Sequence, residues 1–232
     1  MLPLKSRTPR TSAPVVTVGL IAANTLAFLY ELTLPDRLEQ AFFMSYAMVP
    51  ARFLHQLAAP HVPLQTAMLP LVTSMFLHAG WLHLIGNMWF LWIFGGNVED
   101  RLGHLSYLVF YLVCGLGAGL TYVLMSLHSG VPSLGASGAI SGVLGAYIVL
   151  YPRGRILTLV WLIIFIFTWD LPAFLILGYW FAIQFVSGIS SVGSRMTGGV
   201  AWWAHIGGFL LGVWLVHIWP QRRRAAYSLE TN

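Results

Sequence analysis

Charge is scarce in this chain. Only 8% of its 232 residues are Asp, Glu, Lys or Arg, against roughly 25% in a soluble domain. The shortage excludes a water-soluble globular domain, because 58% of the residues are hydrophobic and fall in blocks long enough to span a bilayer, about 20 residues each. Cysteine is nearly absent. Cys114 stands alone in an apolar segment, which excludes an internal disulfide, and no CxxC or CxxH neighbour suggests a metal site. Acidic residues are rarer than basic ones, 7 against 12. The surplus does not point to nucleic acid: the arginines sit near the N-terminus and in the run Arg222-Arg223-Arg224, where a membrane protein keeps its cytoplasmic charge. No internal repeat is evident, which argues against a transporter built from two related halves.

What is present is a series of apolar spans. Six are expected, over residues 14–34, 82–98, 105–127, 136–151, 172–188 and 203–219. The first, from Val15 to about Leu34, is too long for a cleaved signal peptide and no small-x-small site follows it. The 13-residue stretch 157–169 is too short for a span and reads as an interfacial or re-entrant segment on the cytoplasmic side. Six spans put both termini on one side. That side then holds Lys5, Arg7, Arg10, Arg101, Arg153, Arg155 and Arg222 to Arg224, and the other only Arg37, Arg52 and Arg195, a clear positive-inside bias. The first outer loop, about 35–80, carries five prolines and many apolar residues, so short helices lying partly in the interface are expected. The expected organisation is an all-α, polytopic bundle at 14–219 with cytoplasmic tails at 1–13 and 220–232.

Two polar residues in these spans need explaining. Ser137, in Gly135-Ala136-Ser137-Gly138, opens one helix, and His205, in Ala204-His205-Ile206-Gly207-Gly208, lies on another. Gly138, Gly142 and Ala146 form a small-residue ridge on the first helix, and Gly208 and Gly212 lie on the His205 face of the second. Such faces allow close approach in lipid and would bring serine and histidine together at similar depth. A neutral imidazole can then take the hydroxyl proton and make a nucleophile. No Asp or Glu lies near His205, so a dyad is expected, with the imidazole held by packing or another hydrogen bond. An oxyanion needs donors. The amides at the start of the Ser137 helix provide some, and His83 and Asn87, four residues apart on the second span, could provide more. Each residue also has a plainer role: a membrane serine commonly bonds back to its own helix, and a lone histidine or asparagine joins helices. His78 and His83 are weak metal candidates, because a five-residue spacing places them on different helix faces and no carboxylate is near.

Taken in order, the segments His78 to Asn87, Glu99-Asp100-Arg101-Leu102-Gly103, Gly135 to Gly138 and Ala204 to Gly212 resemble the rhomboid family of intramembrane serine proteases, over residues 45 to 215. The resemblance implies a six-helix core around a water-filled cavity opening outward. Ser137 would be the nucleophile and His205 the general base, with Asn87, His83 and Gly135 at the oxyanion and substrate-binding region. It makes Glu99 and Arg101 structural, and makes the fifth span with loop 189–202, including Gly193, Gly198 and Gly199, a gate for substrate. Two departures stand out. Ser141 replaces an aromatic residue that some relatives carry one turn below the serine, and only Arg52 matches a Trp-Arg pair of the first outer loop. The resemblance implies cleavage of the transmembrane helices of single-pass proteins, without metal or cofactor, in a lipid bilayer expected to be a bacterial inner membrane. The alternative is a rhomboid-like binding factor without proteolytic activity.

Overall fold

The computed structural model describes residues 1–162, 165–191 and 201–222. Ten α-helices and a three-stranded sheet are found among them. β1 (Leu2–Ser6) precedes α1 (Val15–Glu31), and three short helices follow: α2 (Asp36–Tyr46), α3 (Pro50–Ala58) and α4 (Leu64–Thr73). α5 (Trp81–Phe90) passes through a π-helical turn at Leu91–Gly95 into α6 (Gly96–Leu102). α7 (His104–Met125), α8 (Ser137–Leu150), β2 (Arg155–Leu162), β3 (Phe165–Pro172), α9 (Ala173–Ser191) and α10 (Trp202–Ile218) complete the order. Each expected span thus coincides with a helix or, at α5–α6, a continuous pair. The proline-rich loop holds short helices, as expected, and they number three among the described residues.

α7 and α9 are by themselves long and apolar enough to cross a membrane. α5–α6 joins them if counted with α4 and the 3-10 turn after it, to which it is bent by 82°. α1, α8 and α10 are apolar but shorter, at 17, 14 and 17 residues. The protein is an integral membrane protein. α8 is its centre: Gly138 to Tyr147 are buried without a break, the pattern of a helix enclosed on all sides rather than one facing lipid. α7 and α10 pack against it closely. A Cβ on Gly208 would collide with the Gly138 carbonyl, one on Gly212 with the Gly142 carbonyl, and one on Gly145 with the Phe209 carbonyl. These are backbone atoms, so only glycine permits the approach of α8 and α10.

The expectation of an all-α chain is corrected by the sheet, which runs in the order β1-β2-β3 with both pairs antiparallel. Within the stretch 157–169, residues 157–162 and 165–169 are therefore strand. Their Val, Ile, Phe, Trp and Thr content favours a pleated conformation, and β1 supplies a third strand to stabilise the hairpin. Arg155 pairs with Pro172, so the segment leaves and returns at one place and is not a span.

That place is one end of the bundle. There Arg7 N–H donates to the Arg155 carbonyl (2.8 Å), Asn97 to the Thr8 carbonyl (2.9 Å) and Arg222 N–H to the Arg101 carbonyl (2.8 Å). Arg101 also donates through Nη1 to the Arg222 carbonyl (2.8 Å). Glu99 is fully buried, and its carboxylate accepts from Val16 N–H, Thr17 N–H and Thr17 Oγ1 at 2.7–2.8 Å, stitching the first turn of α1 to α6. The structural roles expected of Glu99 and Arg101 are what the contacts show. Gly103 makes the reversal from α6 to α7 with φ +85°, a left-handed conformation that favours glycine. Arg223, Arg224 and Arg195 lie outside the described residues.

Candidate active site

Ser137 and His205 meet at the opposite end of α8. Ser137 Oγ lies 2.7 Å from His205 Nε2. The serine is the first residue of α8, placed there by the turn at Gly135, and remains partly exposed, while His205 is buried near the start of α10. The close approach of the two glycine faces sets the two side chains within hydrogen-bond reach. Both line a recess of about 900 Å³, whose wall also includes His83, Asn87, Trp180 and Ser141.

The far side of the imidazole is held by a residue the sequence reading passed over. Gln184 of α9, itself buried, places its Oε1 2.7 Å from His205 Nδ1. An amide oxygen only accepts, so Nδ1 carries the proton and the Nε2 lone pair faces Ser137. A lone amide in an apolar span is a readable signal, and it is the further hydrogen bond expected for His205. Trp180, one turn earlier on α9, lies over the ring at 6.0 Å between centroids, and Trp202 meets it edge-on at 6.4 Å. Ser141 turns away and donates to the Ser137 carbonyl at 2.6 Å. Aromatic packing on the histidine thus comes from α9 and α10 instead of the position below the serine.

Gly135 has φ +121°, and a Cβ there would stand 2.7 Å from the His83 ring and 3.4 Å from Asn87 Nδ2. Its missing side chain is what lets α5 close on the start of α8. Its N–H donates to the Ser74 carbonyl at 2.8 Å, which pins the turn. Asn87 Nδ2 is buried and has no hydrogen-bond partner among the described residues, although it borders the recess. A buried amide donor without a partner is costly and is poised for an acceptor on a guest molecule.

His78 and His83 are closer than their spacing implied. His78 lies before α5, outside any helix, and the two rings meet edge-to-face at 5.1 Å. No group of three or more metal-ligating side chains exists among the described residues. His78 N–H is directed at the buried Glu31 carboxylate (3.2 Å). Arg52 donates to the Ala47 carbonyl at 2.7 Å within the short-helix layer, away from the Ser137–His205 contact. The proposed gate glycines, Gly193, Gly198 and Gly199, fall outside the described residues.

The rhomboid domain model matches residues 65–222, a stretch that contains His83, Asn87, Ser137, Trp180, Gln184 and His205. The chain belongs to the rhomboid family. It is 28% identical over 230 residues to the mitochondrial presenilin-associated rhomboid-like protein of Mus musculus, covering 92% of this chain and 53% of that protein. It is 30% identical over 167 residues to mitochondrial rhomboid protein 1 of Saccharomyces cerevisiae, covering 70% and 45%. A 71-residue stretch, 31% of the chain, is 45% identical to the chloroplastic rhomboid-like protein 11 of Arabidopsis thaliana, of which it covers 25%. The chain spans about half the length of the curated relatives it matches. Their names place them in mitochondria and chloroplasts, so the expected bacterial inner membrane finds no support in this rhomboid's relatives.

Proposed function

We propose that this rhomboid is a serine endopeptidase that cleaves transmembrane helices of single-pass membrane proteins, with Ser137 as nucleophile and His205 as general base. The observation that carries the reading is the 2.7 Å contact between Ser137 Oγ and His205 Nε2 at the wall of the 900 Å³ recess. With Nδ1 bonded to Gln184, Nε2 accepts the hydroxyl proton as Oγ attacks the scissile carbonyl. The same nitrogen then returns the proton to the leaving amine, and water resolves the acyl-enzyme. The developing oxyanion is met by the first-turn amides of α8, which have no helical partner, and by Asn87 Nδ2, with His83 beside them. A substrate helix must unwind to enter, because its carbonyls are otherwise bonded and shielded.

The proposed architecture is six spans: α1, α5–α6, α7, α8, α9 and α10, occupying 14–219 between tails at 1–13 and 220–232. α8 is about 21 Å long at 1.5 Å per residue, short of the roughly 30 Å hydrocarbon layer. Its enclosure by neighbours removes the need to reach both surfaces and leaves Ser137 at the floor of a cavity. Arg7, Arg101, Arg155 and Arg222 gather at the end of the bundle away from Ser137, which supports cytoplasmic termini and a cavity open to the other side. A non-proteolytic binding factor has no use for an oriented Ser–His pair. The test is labelling of the solubilised protein by a fluorophosphonate, with cleavage of a single-pass substrate in parallel. Both activities are expected to vanish in Ser137→Ala and His205→Ala. Equal labelling of all three proteins, or an intact enzyme that cleaves no such helix, overturns the reading.

A further inference from the structure

At the end of the molecule away from Ser137, a second recess of about 680 Å³ lies between the N-terminal segment at Arg7 and Thr8 and the turn that follows α8. Three guanidinium groups border it: Arg7, Arg153 and Arg155. Two of them are committed to Asp170. Arg7 Nε donates to its carboxylate (3.2 Å) and Arg155 Nη1 to its backbone carbonyl (3.0 Å). Arg153 is exposed and has no hydrogen-bond or ion-pair partner among the described residues. Among the described residues, three cationic side chains thus stand against one carboxylate at this recess, a balance that favours an anion.

The hairpin β2–β3 rises from this recess. The described residues near its far end are apolar and exposed. Trp161 is 73% exposed, Phe165 66%, Ile166 64% and Trp169 59%. Phe165 and Ile166 are neighbours in a strand, so they face opposite sides of the sheet. Both faces of the sheet near that end are therefore apolar and exposed, which water does not tolerate over such an area. The hydrocarbon layer is excluded as well, because β3 is an edge strand whose outward N–H and C=O groups would go unbonded there. The membrane interface satisfies both conditions, and tryptophan favours it. From Arg155 to Leu162 the strand reaches about 23 Å, at about 3.3 Å per residue, so a hairpin rooted at the bundle can lie along the headgroup layer.

We propose that the Arg7–Arg153–Arg155 recess is a site for an anionic phospholipid, whose phosphate it binds, while the aromatic end of the β2–β3 hairpin rests in the interface of the same leaflet. Arginine supplies the planar, always-charged donor set that phosphate prefers. A free phosphate would satisfy the guanidinium groups alone. Only a lipid satisfies the basic root and the apolar tip together, and this selects it. The inference is independent of the role of Ser137.

The test uses the full-length protein in detergent, with binding of a fluorescent phosphatidylglycerol followed by anisotropy. Unlabelled phosphatidylglycerol is expected to displace the probe, and phosphatidylcholine or inorganic phosphate at equal headgroup concentration is not. Arg153→Gln should weaken binding by about fivefold, Arg153→Lys should keep most of it, and Arg37→Gln should leave it unchanged. In bilayers, bromine-labelled phosphatidylcholine should quench the part of the fluorescence that Trp161→Phe with Trp169→Phe removes. Displacement by phosphatidylcholine as effective as by phosphatidylglycerol, unchanged binding in Arg153→Gln, or no quenching of the tip tryptophans overturns the proposal. Displacement by inorganic phosphate alone makes the recess a soluble-anion site and overturns the lipid.

Discussion

Gln184 Oε1 accepts a hydrogen bond from His205 Nδ1 at 2.7 Å, on the side of the ring opposite Ser137. The amide occupies the place where a soluble serine protease puts a carboxylate. It fixes the tautomer without bringing a charge into the membrane, where a charge is costly. Gln184→Leu removes the acceptor and frees the ring to rotate, and kcat against a helical substrate should fall about tenfold, the worth of one neutral hydrogen bond, with KM little changed. Gln184→Glu restores an acceptor at the same place. Its activity should stay well above that of Gln184→Leu. Equal losses in the two variants would mean that the side chain serves only packing.

The close contact of α8 and α10 makes a prediction about stability. Ala at Gly212 would drive its methyl into the Gly142 carbonyl, a backbone atom that cannot swing aside. Gly212→Ala should cost about 1–3 kcal/mol, read as a lower melting temperature in detergent, and should separate Ser137 from His205 enough to reduce fluorophosphonate labelling. Gly178→Ala, on α9, meets nothing within 4 Å and should be neutral or stabilising by up to about 1 kcal/mol. A Gly212 variant that melts like the parent would show that the helices have room to part.

This contact was the part of the site most legible in the sequence. Glycines three and four residues apart on two apolar segments foretold which faces would meet, and the meeting of Ser137 and His205 followed from it. Charge scarcity and block length likewise foretold the helices. The hairpin was not legible as such. A 13-residue apolar stretch has no helical period to betray a strand, and its third strand, Leu2–Ser6, pairs across more than 150 residues of sequence. Gln184 was missed for a different reason. A further hydrogen bond to His205 was expected, but no spacing ties residue 184 to residue 205: they lie on different helices, and only packing brings them together. The His78–His83 ring contact escaped because helical spacing was applied to a residue that precedes the helix.

Glu99 anchors the first span, and its loss should be felt there first. Its carboxylate satisfies two first-turn amides of α1 and the Thr17 hydroxyl, and contacts His104 Nδ1 at 2.6 Å. Glu99→Ala leaves these buried donors bare, which should cost about 2–5 kcal/mol. Thr17→Val removes one bond of the set and should cost about 1 kcal/mol. Hydrogen exchange should localise the effect, with faster exchange at Val15–Glu31 than at α8 in the Glu99 variant. Uniform acceleration over both helices would mean that α1 does not open as a separate unit.

Asn87 offers the sharpest division between binding and catalysis. Its Nδ2 is buried at the edge of the recess with no partner among the described residues, so it bears a cost in the resting protein that a developing oxyanion would relieve. An interaction made only as charge develops lowers the barrier without tightening the ground state. Asn87→Ala should therefore reduce kcat by about 10²–10³-fold, the effect of deleting one oxyanion donor, and leave KM nearly unchanged. Stability should hold or rise slightly, because the variant deletes an unsatisfied amide rather than a bond. His83 lies within the same cluster around Gly135, so His83→Ala made in the Asn87→Ala background should cost less than it does alone if both act on one oxyanion. Fully additive losses, or a rise in KM with kcat preserved, would assign Asn87 to holding the substrate chain instead of stabilising its transition state.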